Sequence, residues 1–123
     1  MSERLLSTFL RIAFVACLIA LPVLAWLPAA VMTRSILGGH AEHFIAYLGT
    51  TTVMGLALQK RRHLALQCAL LIAYAALLEV GQLYSPGRHA SLQDFAFSSS
   101  GVIVGALLLW MVRARALNWL RIN

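Results

Sequence analysis

Glu79-Val-Gly-Gln82-Leu-Tyr84-Ser-Pro86-Gly87-Arg88-His89-Ala-Ser91-Leu-Gln-Asp94 joins two long apolar runs and holds two of the chain's four acidic residues. An acid closes one run, Pro86-Gly87 makes the turn, and a second acid opens the next run. Working outward, the flanking runs cover about Leu64 to Tyr84 and about 92 to 112. Each is apolar on every side, with no short alternating stretch bounded by turns, so both are expected to be helices.

The rest of the chain has the same character. Of its 123 residues, 61% are hydrophobic and 11% are charged, against about 25% charged in a soluble domain. Too few polar groups are present to cover a water-facing surface, so an integral membrane protein is expected. From Ile12 to Thr33 no residue is charged, and those 22 residues would rise about 33 Å as a helix. This run is longer than the apolar part of a secretory signal, and three more follow, so it reads as a first span of about 12–32. Pro22 and Pro28 interrupt it, which a membrane helix tolerates when neighbours satisfy the freed carbonyls. A second run covers about 41–59, entered through Glu42 and His43. The expected fold is all-α: a single domain over residues 1–123, built as a four-helix bundle with spans near 12–32, 41–59, 64–84 and 92–112. Short links between runs suggest that sequential helices are antiparallel neighbours.

The net charge of +6 and pI near 10.4 do not point to nucleic acid, because the basic residues sit in short clusters between apolar runs. They orient the chain instead. With four spans, Arg4, Arg11, Lys60, Arg61, Arg62, Arg113, Arg115 and Arg121 fall on one side, and only Arg34 and Arg88 on the other. The positive-inside rule then puts both termini in the cytoplasm. Glu42, Glu79 and Asp94 lie at the outer ends, and Trp119 is a candidate interface anchor. Cys17 and Cys68 lie inside apolar runs with no paired spacing and read as small buried hydrophobes.

The polar groups at the outer end form a candidate site. His43 and Tyr47 share a helix face at four-residue spacing, and Glu79 and Gln82 share one at three. Asp94, Ser98, Gly101 and Gly105 form one stripe on the last helix. Ionisable groups in a membrane normally face the bundle interior or a wet cavity. Arg88 is the expected cation for Glu79, Asp94 or both, through paired hydrogen bonds. A purely structural ion-pair network at this turn is the competing account. His40 and His89 read as solvated surface groups. Gly101-Val-Ile-Val-Gly105 reads as a close helix-packing motif. No HxxxH or HExxH spacing supports a metal site, and no cofactor motif occurs.

The order His43-x-x-x-Tyr47, Glu79-x-x-Gln82, Arg88-x-x-Ser91-x-x-Asp94 and Gly101-x-x-x-Gly105 resembles the VanZ-like family of small multi-span membrane proteins. The resemblance covers about residues 39–109, and the first helix fits by position only. Gly39-His40 stand where many relatives carry Asp-Lys, and Ser98 stands where an Asn is usual. The resemblance implies a role in the cell envelope of a bacterium, in the cytoplasmic (inner) membrane; the family's namesake is associated with resistance to the glycopeptide teicoplanin. Ligand-binding candidates are His43, Tyr47, Glu79, Gln82, Arg88, Ser91 and Asp94, with Arg88 holding an anionic group such as phosphate on an envelope lipid or cell-wall-linked headgroup. Two other readings remain open. One is an enzyme on a lipid-linked substrate, with Glu79 and His43 as acid and base. The other is a non-catalytic membrane subunit or small transporter, which at this size would form a homo-oligomer. The expected partners are membrane lipids, and no nucleic acid.

The orientation has a direct check. Reporter fusions at Lys60 and at the C-terminus should give cytoplasmic signals, and fusions at Gly38 and Pro86 extracytoplasmic ones. A cytoplasmic Pro86 would reverse the assignment.

Overall fold

A computed structural model of the chain describes residues 3–31, 36–58 and 63–122, with side chains as far as Ala116. Among these residues are four α-helices: α1 (Glu3–Trp26), α2 (Gly39–Leu58), α3 (Leu64–Gly81) and α4 (Leu92–Ile122). A 3-10 turn, Gln82–Tyr84, extends α3, and the described residues contain no strand. Arg34, the Lys60-Arg61-Arg62 cluster and the side chains of Trp119 and Arg121 lie outside the described residues.

The first helix lies earlier in the chain than the expected 12–32, because it takes in Arg4 and Arg11 and ends at Trp26. Pro28 disfavours helical backbone at Leu27, so the helix stops with a last bond from Leu27 N–H to Val23 O. The prolines leave specific carbonyls open. Pro22 has no N–H for Leu18 O, four residues back, and Pro28 has none for Leu24 O. Each carbonyl is taken by a side chain from another part of the fold. Tyr74 of α3 donates its hydroxyl to Leu18 O at 2.8 Å, and Arg88 donates from Nη2 to Leu24 O at 3.0 Å. Past the helix end, Arg88 Nε donates to Leu27 O and Ser85 Oγ to Trp26 O. In return Trp26 Nε1 donates to Leu78 O of α3. That indole lies against Gly81, where any β-carbon would collide with it. The turn after α3 is thereby sewn to the end of α1.

Going round the bundle the order is α1, α2, α4, α3. α1 packs on α2 and α3 packs on α4, as antiparallel neighbours should. α2 and α3, however, stand across the diagonal and meet only sparsely, contrary to the expectation for sequential helices. The reason is the close fit of α4 on α2. A β-carbon at Gly101 would run into the backbone at Phe44 and Leu48, and one at Gly105 would press on Thr51. The two glycines let the helix backbones meet, so α4 takes the place beside α2. At the other end Arg113 Nη2 donates to Gly55 O in the last turn of α2 at 2.6 Å, a cation at a helix C-terminus.

Among the described residues three helices are long and apolar enough to cross a membrane: α1, α3 with its 3-10 extension, and α4. α2 is the exception to the expected four apolar spans. Its 20 residues include a polar first turn and Thr50-Thr51-Thr52. Each threonine hydroxyl donates to the carbonyl four residues back, so none needs a partner outside the helix. α2 also contributes buried Tyr47, Thr50, Thr51, Met54 and Ala57. A helix enclosed by its neighbours does not have to be apolar. The core joins Leu21, Tyr47, Leu71, Ala75, Leu78 and Val102.

The Tyr74–Leu18 pairing predicts a coupled pair of substitutions. Tyr74→Phe strands a carbonyl and should cost about 1–3 kcal/mol. In a Pro22→Ala background the restored N–H takes that carbonyl, so the same change should cost well under half as much. Thermal or denaturant unfolding of the four proteins in detergent measures the cycle.

Candidate functional site

The C-terminal ends of α1 and α3 and the N-terminal ends of α2 and α4 enclose a partly open cavity of about 460 Å³. It lies in the gap left because α2 and α3 stand apart. Its inner wall is apolar, half leucine and half alanine: Leu21, Leu24 and Ala25 from α1, Ala46 from α2, and Ala75 and Leu78 from α3. At the helix ends the wall turns polar, with Glu42, His43, Glu79, Gln82, Arg88 and Asp94. Tyr47 also lines it, about 12 Å along α2 from its start.

Glu79 is 7% exposed and holds the polar end together. Its Oε1 accepts from the backbone N–H of Ser91 at 2.7 Å. With the Gln82 amide turned so that nitrogen faces acceptors, Gln82 donates to Glu79 Oε1 (3.2 Å) and to His89 O (3.3 Å). Ser91 is the N-cap of α4, and its Oγ accepts from Asp94 N–H at 3.3 Å. In a capping box the acid three residues on, here Asp94, would reach back to the cap's own N–H. Glu79 has taken that N–H from across the turn, and Asp94 faces α2 instead.

There His40 donates from Nδ1 to Asp94 Oδ1 at 2.7 Å, and its ring stacks on Phe97 with centroids 5.0 Å apart. His43 Nε2 lies 3.9 Å from Asp94 Oδ2, and His43 Nδ1 shares a hydrogen bond with Ser98 Oγ at 3.2 Å. The stripe read from Asp94 through Ser98 to Gly101 and Gly105 therefore lies against α2 along its whole length.

Of the seven candidate residues, His43, Tyr47, Glu79, Gln82, Arg88 and Asp94 line the one cavity, and Ser91 supports it through Glu79. One expectation needs correction. Arg88, expected as the cation for Glu79, Asp94 or both, donates hydrogen bonds to Leu24 O and Leu27 O, the carbonyls that Pro28 and the helix end leave open. Glu79 and Asp94 are held by Ser91, Gln82 and His40. His40 was read as a solvated surface group; it is exposed, yet it is the nearest partner of Asp94. Its position four residues before Phe44 and three before His43 carried no signal, because the contact is made to α4. His89 is exposed and enters the network through its carbonyl only. Tyr84, at 88% exposed, is a surface aromatic.

The connectivity Ser98–His43–Asp94 has the order of a nucleophile, a base and an orienting acid. Ser98 is only 2% exposed and sits between α2 and α4, behind the cavity wall and outside its lining. A substrate carbonyl has no approach to its Oγ, so the chain of hydrogen bonds locks His43 in place. Among the described residues no three His, Cys, Asp or Glu side chains converge as metal ligands.

No family model matches this chain, and neither a curated protein nor a solved structure gives a significant match.

Glu79→Ala would strand the Ser91 N–H and remove one of the two acceptors of the Gln82 amide, and should cost about 1–3 kcal/mol of stability. Glu79→Gln keeps an acceptor at the same place and should cost less than half of that. Chemical unfolding in detergent separates the two.

Proposed function

We propose that this chain is an integral membrane protein of the VanZ-like kind, in the bacterial cytoplasmic membrane with both termini cytoplasmic. Its cavity opens on the extracytoplasmic side and holds the head of an envelope amphiphile, either a lipid or a lipid-linked cell-wall precursor. The observation that carries this reading is the cavity itself, with a polar end built from four segments and an apolar floor. At about 460 Å³ it falls within the size range of small-molecule sites. It takes a headgroup and the start of a chain, not a whole two-chain lipid.

Three further facts support it. α1, α3 and α4 have the length and hydropathy of spans. Large apolar side chains such as Phe9, Ile12, Val15, Leu70, Leu77, Leu107 and Trp110 are exposed along all three, far more than water tolerates on one molecule. The described acids other than Glu3 gather at the cavity end, while Arg113 and Arg115 lie towards the opposite end of α4. Binding is favoured over turnover because the groups suited to acid–base chemistry are already engaged: Glu79 caps α4, and His43 is held between Asp94 and Ser98. The link to glycopeptide resistance rests on the family resemblance alone, and the proposed contribution is to how an envelope amphiphile is presented at the membrane surface.

Filling the floor tests the site. Ala46→Phe should abolish saturable binding of a single-chain amphiphile to the purified protein, lowering affinity by about tenfold or more, while helix content stays unchanged by circular dichroism. Unaltered binding by a folded Ala46→Phe protein would remove the cavity from consideration.

A further inference from the structure

We propose a second lipid site, separate from the cavity and at the opposite end of the bundle. The first half of α1 binds the phosphate of an anionic membrane phospholipid between Arg4 and Arg11, and one acyl chain lies along the same face of the helix. Charge at that end and the shape of the helix face carry this independently of each other, and neither depends on what the cavity takes.

The charge is one-sided. All four acidic side chains of the chain are among the described residues; Glu42, Glu79 and Asp94 line the cavity, which leaves only Glu3 at the start of α1. Arg4 and Arg11 are both exposed, and neither has an ion-pair partner among the described residues. Lys60, Arg61 and Arg62 follow α2 in sequence at this end and lie outside the described residues; they add charge of the same sign. Arg11 has the greater need of an anion. With Trp26 at the outer edge, about 30 Å of hydrocarbon counted back along α1 ends near Leu6. Arg11 therefore leaves the helix about 7–8 Å inside the apolar layer, among exposed Phe9, Ile12 and Val15. A guanidinium is costly among acyl chains and turns towards the interface. Side chains on a helix lean towards its N-terminus, so Arg11 reaches back over Thr8 towards Arg4. Guanidinium groups grip a phosphate through paired, charge-assisted hydrogen bonds.

The helix face is continuous. Arg4, Thr8 and Arg11 are spaced i, i+4 and i+7, and Val15, Leu18 and Pro22 extend the same face at i+11, i+14 and i+18. Thr8 is exposed between the arginines and offers a hydroxyl donor. Ser7 beside it donates its own hydroxyl to Arg4 O. Farther along, the face opens into an apolar groove of about 530 Å³ whose walls include Leu18, Ile19, Pro22, Val23 and Tyr74. An acyl chain covers about 15 Å, half of the hydrocarbon layer. One that starts beside Arg11 passes Val15 and reaches the near rim of the groove at Leu18 and Ile19, about 10 Å on. A water-soluble anion would use the arginines and leave the groove unused, so the occupant is a phospholipid.

The test uses the full chain purified in a neutral maltoside detergent, with binding read by native mass spectrometry. The probes are palmitoyl-oleoyl phosphatidylglycerol, phosphatidylcholine with the same chains, and glycerol 3-phosphate, which has the phosphate and no chain. Phosphatidylglycerol should bind saturably and about tenfold or more tighter than phosphatidylcholine. Glycerol 3-phosphate at equal concentration should not displace it. Arg11→Gln should remove most of the preference. Thr8→Val, which keeps the side-chain shape without the hydroxyl, should weaken phosphatidylglycerol several-fold and carries the test if Arg11→Gln does not fold. Arg115→Gln removes an exposed charge at the same end of the bundle, on α4, and should change binding by less than about twofold. Ala46→Phe, which fills the cavity, should change it as little. Equal binding of the two lipids would overturn the proposal. So would a loss in Arg115→Gln as large as in Arg11→Gln, since the basic end would then attract anions without a site. Displacement by glycerol 3-phosphate would overturn the lipid as occupant. Loss of phosphatidylglycerol in Ala46→Phe would assign the lipid to the cavity and overturn the site on α1.

Discussion

A backbone carbonyl inside an apolar bundle has no water to turn to, and each one left open costs free energy on the scale of a lost hydrogen bond. The two prolines of the first helix and its early end create several such carbonyls in one place. Leu18, Leu24, Trp26 and Leu27 are supplied by Tyr74, Arg88, Ser85 and Arg88 again. These donors lie on α3 and on the turn that follows it. The requirement therefore fixes α1 to α3 and fixes the path of residues 85–88. It also sets where Glu79 and Ser91 can meet, since both ends of that path are then held. At the opposite end Arg113 meets the same kind of demand for Gly55 of α2.

The second consequence is an exchange of partners at the start of α4. Ser91 and Asp94 have the spacing of a helix cap and could have satisfied each other completely. Glu79 instead supplies the acceptor for the Ser91 N–H. Asp94 is released to face α2, where His40 and His43 gather round it. The same carboxylate that ends α3 thereby shapes the electrostatics of the cavity. A buried acid held by neutral donors stays an acceptor, and an acid released from a cap becomes available at the cavity rim.

The cavity exists because of a packing decision made elsewhere. Gly101 and Gly105 bring α4 against the backbone of α2, which sends α3 to the diagonal. Three of the positions facing the resulting gap are alanines, Ala25, Ala46 and Ala75, and the gap is not filled. α2 becomes the shielded helix and can carry three threonines and a polar first turn, which is why it alone is too polar to read as a span.

Composition and the spacing of apolar runs were enough to read a helical chain with helices of membrane-spanning length, since nothing else explains so few charges among so many apolar residues. Spacing alone also placed His43 beside Tyr47 and Glu79 beside Gln82, because a helix face depends only on local geometry. The glycine pair on α4 announced close packing, although not its partner. What the linear chain could not contain was the identity of each hydrogen-bond partner. Arg88 is flanked by carboxylates in sequence, and nothing local marks the two carbonyls to which it donates, which lie more than sixty residues away. His40 looked solvated because its partner belongs to another helix. The end of α1 shifted because a proline acts on the residue before it and not on the apolar run as a whole. Local periodicity is written in the sequence; the choice among competing acceptors is made by proximity, and only the tertiary fold creates proximity.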